Sequence, residues 1–426
     1  MDSESDLSHP MQLSPNQVKE LFQKLQDFLS ETESTIPNDD QSSQLPDEFL
    51  RLYNQLDESK KNFYNDSVSS LLPPGNSPEC LMLNQRIIEI ALNWKPIPEK
   101  DDYRVQEASS YGGLALQDAV VLSKIRSVAT EILKQLGRKI ISGDFNLTQT
   151  SFPIRCMQAS TSLHNILDTF RMIPLYITRA VATKDRLERF KLTIVSVLSS
   201  FLFTSTFEKP LNPILGETQQ AVLEDGTRMF SEQSSHHPPV SHFYIDGSGY
   251  KAHGYFNFSA SAGLNSVTVT SQGKRIFQFY DGYTVMLSCP EELFSGTFFG
   301  TMRHETLGSM AATDTEGHNC LIAFSKVRGK PSDYVQGTIK NLQGKELSKL
   351  EGTYLGYLEF SGVRYWDARY IKPYKITYPQ LLLSDSECRK DMCVLKTGDI
   401  ERAQAAKEEL ENIQRNDRKL RSIYSK

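Results

Sequence analysis

Residues Glu232–Ile245 read EQSSHHPPVSHFYI, with two histidines, His236 and His237, set directly against two prolines, Pro238 and Pro239. Proline locks φ, removes a backbone donor and restricts the residue before it, so this corner fits neither a helix interior nor a central strand. It lies in a segment of strand texture that opens after Pro213. Turn signals recur there at Asp225-Gly226, Asp246-Gly247, Ala262-Gly263, Gln272-Gly273, Asp281-Gly282 and Gln343-Gly344. Between them run alternating or aromatic-rich stretches such as Ser266–Thr270, Ile276–Tyr280 and Tyr354–Phe360. Short strands joined by tight turns form an antiparallel meander, and a long meander tends to close into a barrel. A barrel of many strands is wide enough to keep a lumen instead of a filled core. The expected class is therefore mainly β with flanking helices.

Helical patterns flank the meander. From Leu114 to Ile141, residues Ile125, Val128, Ile132, Leu136 and Ile140 fall on one face, and Gly143-Asp144 ends the pattern. A second helix is expected from Asp185 into Phe203, after a proline-containing segment around Ile173-Pro174. Residues 385–426 return to helix, charged nearly all round and glycine-free after Gly398. Residues 1–100 read as an N-terminal extension, partly helical (Val18–Leu29, Phe49–Leu56, Leu83–Trp94) and partly disordered. Its breaker LLPPGNSPE lies at 71–79, and KPIPEKDD marks a boundary near residue 100.

The chain of 426 residues carries 39% hydrophobic and 23% charged residues, as soluble globular proteins do. Its net charge of −5 is unevenly spread: residues 1–50 hold −9, which leaves +4 for the body. A mildly basic body suits an anionic ligand or membrane surface and is too weak a signal for nucleic acid. The six cysteines are scattered, without a CxxC pair or a histidine at zinc spacing, which fits a reduced, cytosolic compartment. The acidic start MDSESDLSHP is neither a signal nor a transit peptide. The most apolar run, Leu192–Phe207, is interrupted by Thr193, Ser196, Ser199 and Ser200 and is too short and polar to span a bilayer.

Lys209, in the string EKPLNPILGE, and the pair His236 and His237 are the candidate chemical groups. Turns or strands separate them, so local sequence cannot bring them together. A paired histidine is ordinarily a satisfied surface or core residue. As a metal site the pair is a poor chelate, because adjacent side chains diverge and no cysteine or carboxylate has ligand spacing. As a catalytic base it lacks a nucleophile motif such as GxSxG. As an anion site it has physical sense: a phosphate monoester offers nearly two charges and three acceptor oxygens, and a histidine beside it is pushed toward the doubly donating form. Near the C-terminus, Lys407, Glu411 and Arg415 stand at i, i+4 and i+8 and share one helix face, where Glu411 can tie to both basic neighbours. Such a pattern is usually a solvated charged face.

Three strings, KPLNPILGE at Lys209–Glu217, EQSSHHPPVS at Glu232–Ser241 and KEELENIQR at Lys407–Arg415, resemble in sequence and order the conserved strings of the oxysterol-binding protein family. The resemblance covers roughly residues 110–425, and the chain looks like a short member, residues 101–426 forming the lipid-binding domain. It implies a large incomplete antiparallel β-barrel enclosing a lipid tunnel, preceded by helices, closed by an N-terminal lid and followed by a C-terminal helix. The lid would fall near residues 120–150. The resemblance further implies a polar mouth in which Lys209, His236, His237, Lys407 and Arg415 bind the phosphates of phosphatidylinositol 4-phosphate. Glu411 would organise the basic pair, and backbone at Leu211 and Asn212 would contact the inositol phosphate. His242 stands where the family fingerprint usually has a small residue.

The implied activity is non-enzymatic: extraction of one lipid at a time and exchange of phosphatidylinositol 4-phosphate for a second lipid, sterol by family frequency or else phosphatidylserine. No cofactor, metal or nucleic acid is expected. The protein is expected to be a cytoplasmic monomer, peripheral at organelle membranes. The competing function class is a lipid-regulated sensor or scaffold with residues 1–100 as effector.

Overall fold

A computed structural model describes residues 101–136, 151–204 and 206–424, together with Leu56 and Lys61. The expected helices Val18–Leu29 and Leu83–Trp94 lie outside the described residues. Of Phe49–Leu56 only Leu56 is described, buried and not helical.

The strands are β1 (Leu114–Ala115), β2 (Met157–Thr161), β3 (Lys209–Leu211), β4 (Thr218–Leu223), β5 (Arg228–His236), β6 (Pro239–Gly247), β7 (Tyr250–Ala262), β8 (Ser266–Phe279) and β9 (Thr284–Ser288). They continue as β10 (Glu291–Ser295), β11 (Arg303–Leu307), β12 (Ser309–Asp314), β13 (Asn319–Phe324), β14 (Tyr334–Lys340), β15 (Glu346–Thr353), β16 (Tyr357–Phe360), β17 (Val363–Asp367) and β18 (Ile376–Thr377). Sixteen of them form one sheet, whose main path is β17-β16-β15-β14-β13-β12-β9-β8-β7-β6-β5-β4-β18. A branch of β10, β11 and β1 leaves from β8. Every ladder of this sheet is antiparallel, while β2 and β3 pair in parallel apart from it. The two ends of the path, β17 and β18, share no ladder among the described residues, so the barrel is open, as an incomplete barrel should be.

The expected turns at Asp225-Gly226, Asp246-Gly247, Ala262-Gly263, Asp281-Gly282 and Gln343-Gly344 all fall at or between strand ends. Gln272-Gly273 does not. Gly273 sits within β8 opposite Phe256, and a Cβ there would lie 1.9 Å from the Tyr255 carbonyl oxygen. The glycine permits close strand approach, not reversal. Ser266–Thr270 and Ile276–Tyr280 thus belong to one 14-residue strand, with Tyr280 just beyond its end. Tyr354–Phe360 is likewise not one strand, because a turn at Tyr354–Gly356 separates β15 from β16.

The helices are α1 (Ala119–Leu136), α2 (Ser162–Asp168), α3 (Ile173–Ala182), α4 (Arg186–Leu198), α5 (Phe201–Thr204), α6 (Lys390–Lys396) and α7 (Ile400–Tyr424). The start of α1 is later than Leu114 because Asp118 caps it, accepting from Val120 N and Val121 N. Residues 137–150, the remainder of the expected helix and lid, lie outside the described residues. Pro174 sits in the first turn of α3, where its missing N–H costs no helix bond. Asp185 caps α4 through Leu187 N and Glu188 N.

The buried hydroxyls of α4 and its end bond back to helix carbonyls, Thr193 to Arg189, Ser196 to Thr193, Ser199 to Val195 and Ser200 to Val197. That satisfies polar groups which interrupt an otherwise apolar run. Among the described residues no helix is long and apolar enough to cross a membrane.

Helices α2 to α4 pack against the sheet in one large core with Phe170, Tyr176, Phe190, Phe243, Phe277, Phe324, Phe360 and Trp366. Much of the expected lumen is therefore filled core. A cavity of about 440 Å³ remains, bounded by α1, α2, β7, β8, β10 and β11. A smaller core of Val128, Ile132, Ile154, Cys156, Met157, Leu211, Met392 and Ala403 joins α1 to β3 and the C-terminal helices.

Candidate functional site

Two cavities meet at one end of this arrangement. The first is apolar, lined by Ile125, Val128, Ala129 and Ile132 of α1 and by Phe207, Phe256, Phe258, Val267, Phe294 and Met302, among others. The apolar face of α1 thus forms a wall of this cavity, as a lid would. Its margins are polar. Lys124 pairs with Glu208 at 2.9 Å, Glu131 pairs with Arg155, and Arg126 donates to the carbonyls of Gly296 and Gly300.

The second cavity, of about 380 Å³, is lined by Ser151, Asn212, Ser234, Ser235, His236, His237, Lys407, Glu411, Gln414, Arg415, Arg418 and Arg421, with a few apolar side chains. Phe152, Asn212 and His236 line both cavities. A polar antechamber therefore adjoins a greasy interior across these three residues.

The histidine pair reaches this place because β5 and β6 form a hairpin whose last pair is His236 with Pro239, leaving His237 and Pro238 in the turn. The His237–Pro238 peptide is cis. The two imidazoles meet edge to face at 4.7 Å, and His236 Nδ1 is buried without a hydrogen-bond partner. Burial, then the charge of His237, lowers the pKa of His236, and burial, then Arg418, lowers that of His237. Both shifts favour the neutral rings.

Lys209 starts from β3, one element away. Its Nζ donates to the Pro210 carbonyl at 3.2 Å and to Asn212 Oδ1 at 2.5 Å, and it lies 5.5 Å from the Phe152 ring centroid. Loss of water pushes its pKa down to about 8, with the cations Lys407 and Arg389 adding to the effect. Asn212 belongs to a loop held from behind. Arg389 donates to the Asn212 carbonyl at 2.7 Å and to Glu217 at 2.9 Å, and Glu217 in turn accepts from Ile214 N. The glutamate ending KPLNPILGE thus positions the loop and takes no place in the cavity.

On α7, Lys407 is 5% exposed and donates to Glu411 Oε1 and to Ser151 Oγ at 2.8 Å. Arg415 donates to the other Glu411 oxygen at 2.9 Å. Burial raises the Glu411 pKa, but the bonds from Lys407 and Ser151 and the charge of Arg415 outweigh it and hold the carboxyl below its usual range. Glu411 is thus an ionised internal counter-ion for both cations.

Of the expected site residues, the structure brings His236, His237, Asn212, Lys407, Glu411 and Arg415 to the antechamber, with Lys209 on the adjoining apolar wall. Leu211 lines neither cavity, and its side chain is buried in the smaller core beneath. His242 faces away on β6, where its Nδ1 meets Ser234 Oγ at 2.8 Å and its ring lies over Tyr255. Sequence reasoning missed Ser151, Phe152, Gln414, Arg418, Arg421 and the supporting Arg389. Arg418 was findable: eleven residues beyond Lys407 is three helical turns, which returns to the same face. Among the described residues no group of His, Cys, Asp and Glu could hold a metal ion.

A family model described as oxysterol-binding protein matches residues 132–372. Oxysterol-binding protein 9 of Dictyostelium discoideum is 33% identical over 359 residues, covering 77% of this chain and 83% of that protein. Oxysterol-binding protein-related protein 6 of Mus musculus is 26% identical over 64% of this chain, which spans 32% of its length. Among solved structures, the Osh3 ORD in complex with PI(4)P from Saccharomyces cerevisiae superposes with a TM-score of 0.58 at 20% identity, covering 68% of this chain and 84% of that one. The Osh1 ORD domain in complex with ergosterol gives 0.60 at 18% identity, covering 72% and 90%. These two likenesses carry the fold.

Proposed function

This chain belongs to the oxysterol-binding protein family, and on that premise we propose that it is a lipid carrier, not an enzyme. In this reading it exchanges phosphatidylinositol 4-phosphate for a second lipid, sterol or else phosphatidylserine, between membranes it meets peripherally from the cytoplasmic side. The observation that carries the reading is the shared wall of the two cavities at Phe152, Asn212 and His236. An amphiphile seated there keeps its head among Lys209, His236, His237, Lys407 and Arg415 and its tail against the apolar face of α1. Neighbouring structures holding PI(4)P in one case and ergosterol in another support the pair of cargoes.

The energetics suit exchange. A sterol or acyl chain buries several hundred Å² at about 25 cal/mol/Å², on the order of 10 kcal/mol, which is comparable to what it loses on leaving a bilayer. Desorption is then near balance, and the charge-assisted bonds of the headgroup decide which lipid is taken. Approach of a phosphate raises the pKa of both histidines, so proton uptake accompanies binding. Both lipids need the same apolar cavity, so each displaces the other.

Vesicle extraction tests the reading. The wild-type protein should remove phosphatidylinositol 4-phosphate from donor vesicles intact, with no change in its phosphorylation. The His236→Ala, His237→Ala double variant should lose at least tenfold in extraction while sterol uptake stays within a factor of three. Undiminished phosphoinositide extraction by that variant would sink the assignment.

A further inference from the structure

Strands β7 and β8 run on past their neighbour β6 at one end of the sheet. The last ladder pair of β6 with β7 is Val240 with Asn257, and residues 258–262 continue paired to β8. At about 3.3 Å per residue this carries the hairpin roughly 15 Å further, at the end of the sheet where the His236–Pro239 corner lies. The hairpin tip, residues 263–265, is joined to the loop at residues 296–300 that follows β10. Asn265 makes the joint. Its Oδ1 accepts from Phe298 N at 2.8 Å and Phe299 N at 3.2 Å, and its Nδ2 donates to the Phe299 carbonyl at 3.1 Å. Its own carbonyl accepts from Gly296 N at 2.9 Å and Thr297 N at 3.3 Å.

Two large apolar side chains stand in water on this braced tip, Leu264 at 85% and Phe299 at 67% exposure. A single exposed apolar residue is ordinary. These two sit in unusual company, because residues 254–273 and 295–302 contain no Asp, Glu, Lys, Arg or His in a chain that is 23% charged. The bonds to Asn265 also satisfy the tip's amides from within, which a backbone must achieve before it enters a medium without water. Phe298 turns the other way and lines the apolar cavity with Gly263 and Thr297. At the base of the tip, Arg126 of α1 donates to the carbonyls of Gly296 and Gly300. A cation thus stands behind the apolar side chains, which is the order of phosphate and acyl layers met at a bilayer surface. A protein groove can also cover two apolar side chains, but it brings donors and acceptors of its own. It does not require a tip without charge whose amides are satisfied inwardly.

We propose that Leu264 and Phe299 insert into the surface of a phospholipid bilayer, with Arg126 at the level of its phosphates. The carrier reading says only that membranes are met peripherally; this assigns the part of the molecule that meets them, and it can be measured without cargo. Taking either side chain fully out of water changes a partition constant by about tenfold or more.

The test is partition of the full chain onto vesicles of phosphatidylcholine containing one fifth phosphatidylglycerol, read by flotation. The Leu264→Ser, Phe299→Ser double variant should partition at least tenfold more weakly than the wild-type protein, whereas Leu264→Met, Phe299→Trp should stay within threefold. In the second variant, tryptophan emission should move to shorter wavelength on vesicles. It should also be quenched by lipids brominated along their acyl chains, beyond the baseline set by the two native tryptophans. Sterol delivered from cyclodextrin, with no bilayer present, should load the wild-type protein and both variants within threefold of one another. The proposal is overturned if the wild-type protein does not bind vesicles, or if the serine variant loses less than tenfold. It is overturned too if the tryptophan at 299 is neither shifted nor quenched, which would leave the tip a surface for another protein. Failure of the serine variant to take up sterol that the wild-type protein accepts would also overturn it, since the lost binding would then reflect a disturbed cavity wall. Tip-dependent vesicle binding by a wild-type protein that loads no lipid from any source would remove the carrier reading and leave this one standing.

Discussion

Lys209 shows what the site costs the fold at the scale of one residue. Its pKa of about 8 means that the folded protein disfavours the ammonium that the unfolded chain holds to about 10.5. The cost is fully present below pH 8 and is relieved as pH rises from 8 toward 10.5. Lys209→Met should therefore raise stability at pH 7 by about 1 kcal/mol, after discounting for the partial exposure of the side chain, and by less at pH 10. Chemical denaturation at the two pH values checks this. The same variant should lose anionic headgroup binding at least tenfold. In the wild-type protein, headgroup affinity should fall as pH rises above 8 and the ammonium is lost, whereas Lys209→Arg should flatten the part of that fall between pH 8.5 and 9.5 and leave the histidine-linked slope nearer pH 7. The residue scale is also where the sequence was most legible. Lys209, His236, His237, Lys407, Glu411 and Arg415 were picked out by the family strings that carry them, since by chemical type alone the histidine pair and the helix face read as ordinary. Arg418 and Arg421 were not, because a fourth or fifth cation on a highly charged helix looks like any solvated face until a cavity is seen beside it.

Among the elements, β7 and β8 carry the longest ladder of the sheet and wall the apolar cavity. Their contact depends on glycines that bring backbones together. A Cβ on Gly273 would lie 1.9 Å from the Tyr255 carbonyl oxygen, and one on Gly254 would lie 1.9 Å from that of Lys274. Gly273→Ala should therefore destabilise by 3 kcal/mol or more, about the upper end for a single substitution. Thermal unfolding should register this as a drop of several degrees. A surface change such as Gly344→Ala in the β14–β15 turn should cost much less, because nothing lies near its added carbon, although its φ of 77° still penalises a side chain. Reading glycine as a turn succeeded at Gly226 and Gly282 and failed at Gly273, because a one-letter sequence does not distinguish a glycine that reverses the chain from one that lets two chains touch. The apolar periodicity of α1 was equally legible, but which cavity that face covers depends on where β7, β8, β10 and β11 stand. No local pattern reports that.

At the scale of the whole molecule, the proposed division near residue 100 can be tested. Asp101 pairs with Arg369 at 2.7 Å, and Asp102 is bonded by Lys330, Tyr334 and Tyr357, so the body holds its own first residues. A chain beginning at Asp101 should fold and, as a carrier, should transfer lipid within threefold of the full chain. Loss of transfer with lipid binding retained would favour a scaffold in which residues 1–100 are the effector. If the carrier reading holds, native mass spectrometry of the loaded protein should find one lipid per chain and no ternary species, since that reading seats both cargoes in the one apolar cavity of about 440 Å³. The cover over that cavity adds a last point. Beneath, it is oily, but its rim is fastened by Lys124 to Glu208, Arg155 to Glu131 and Arg126 to two carbonyls. Half-exposed ion pairs such as Lys124–Glu208 and Arg155–Glu131 hold by at most about 1 kcal/mol. An acidic bilayer offers each such cation roughly the same. On the proposed carrier reading, arrival at an anionic leaflet therefore unbuttons the cargo with no dedicated trigger, and a neutral one leaves it fastened.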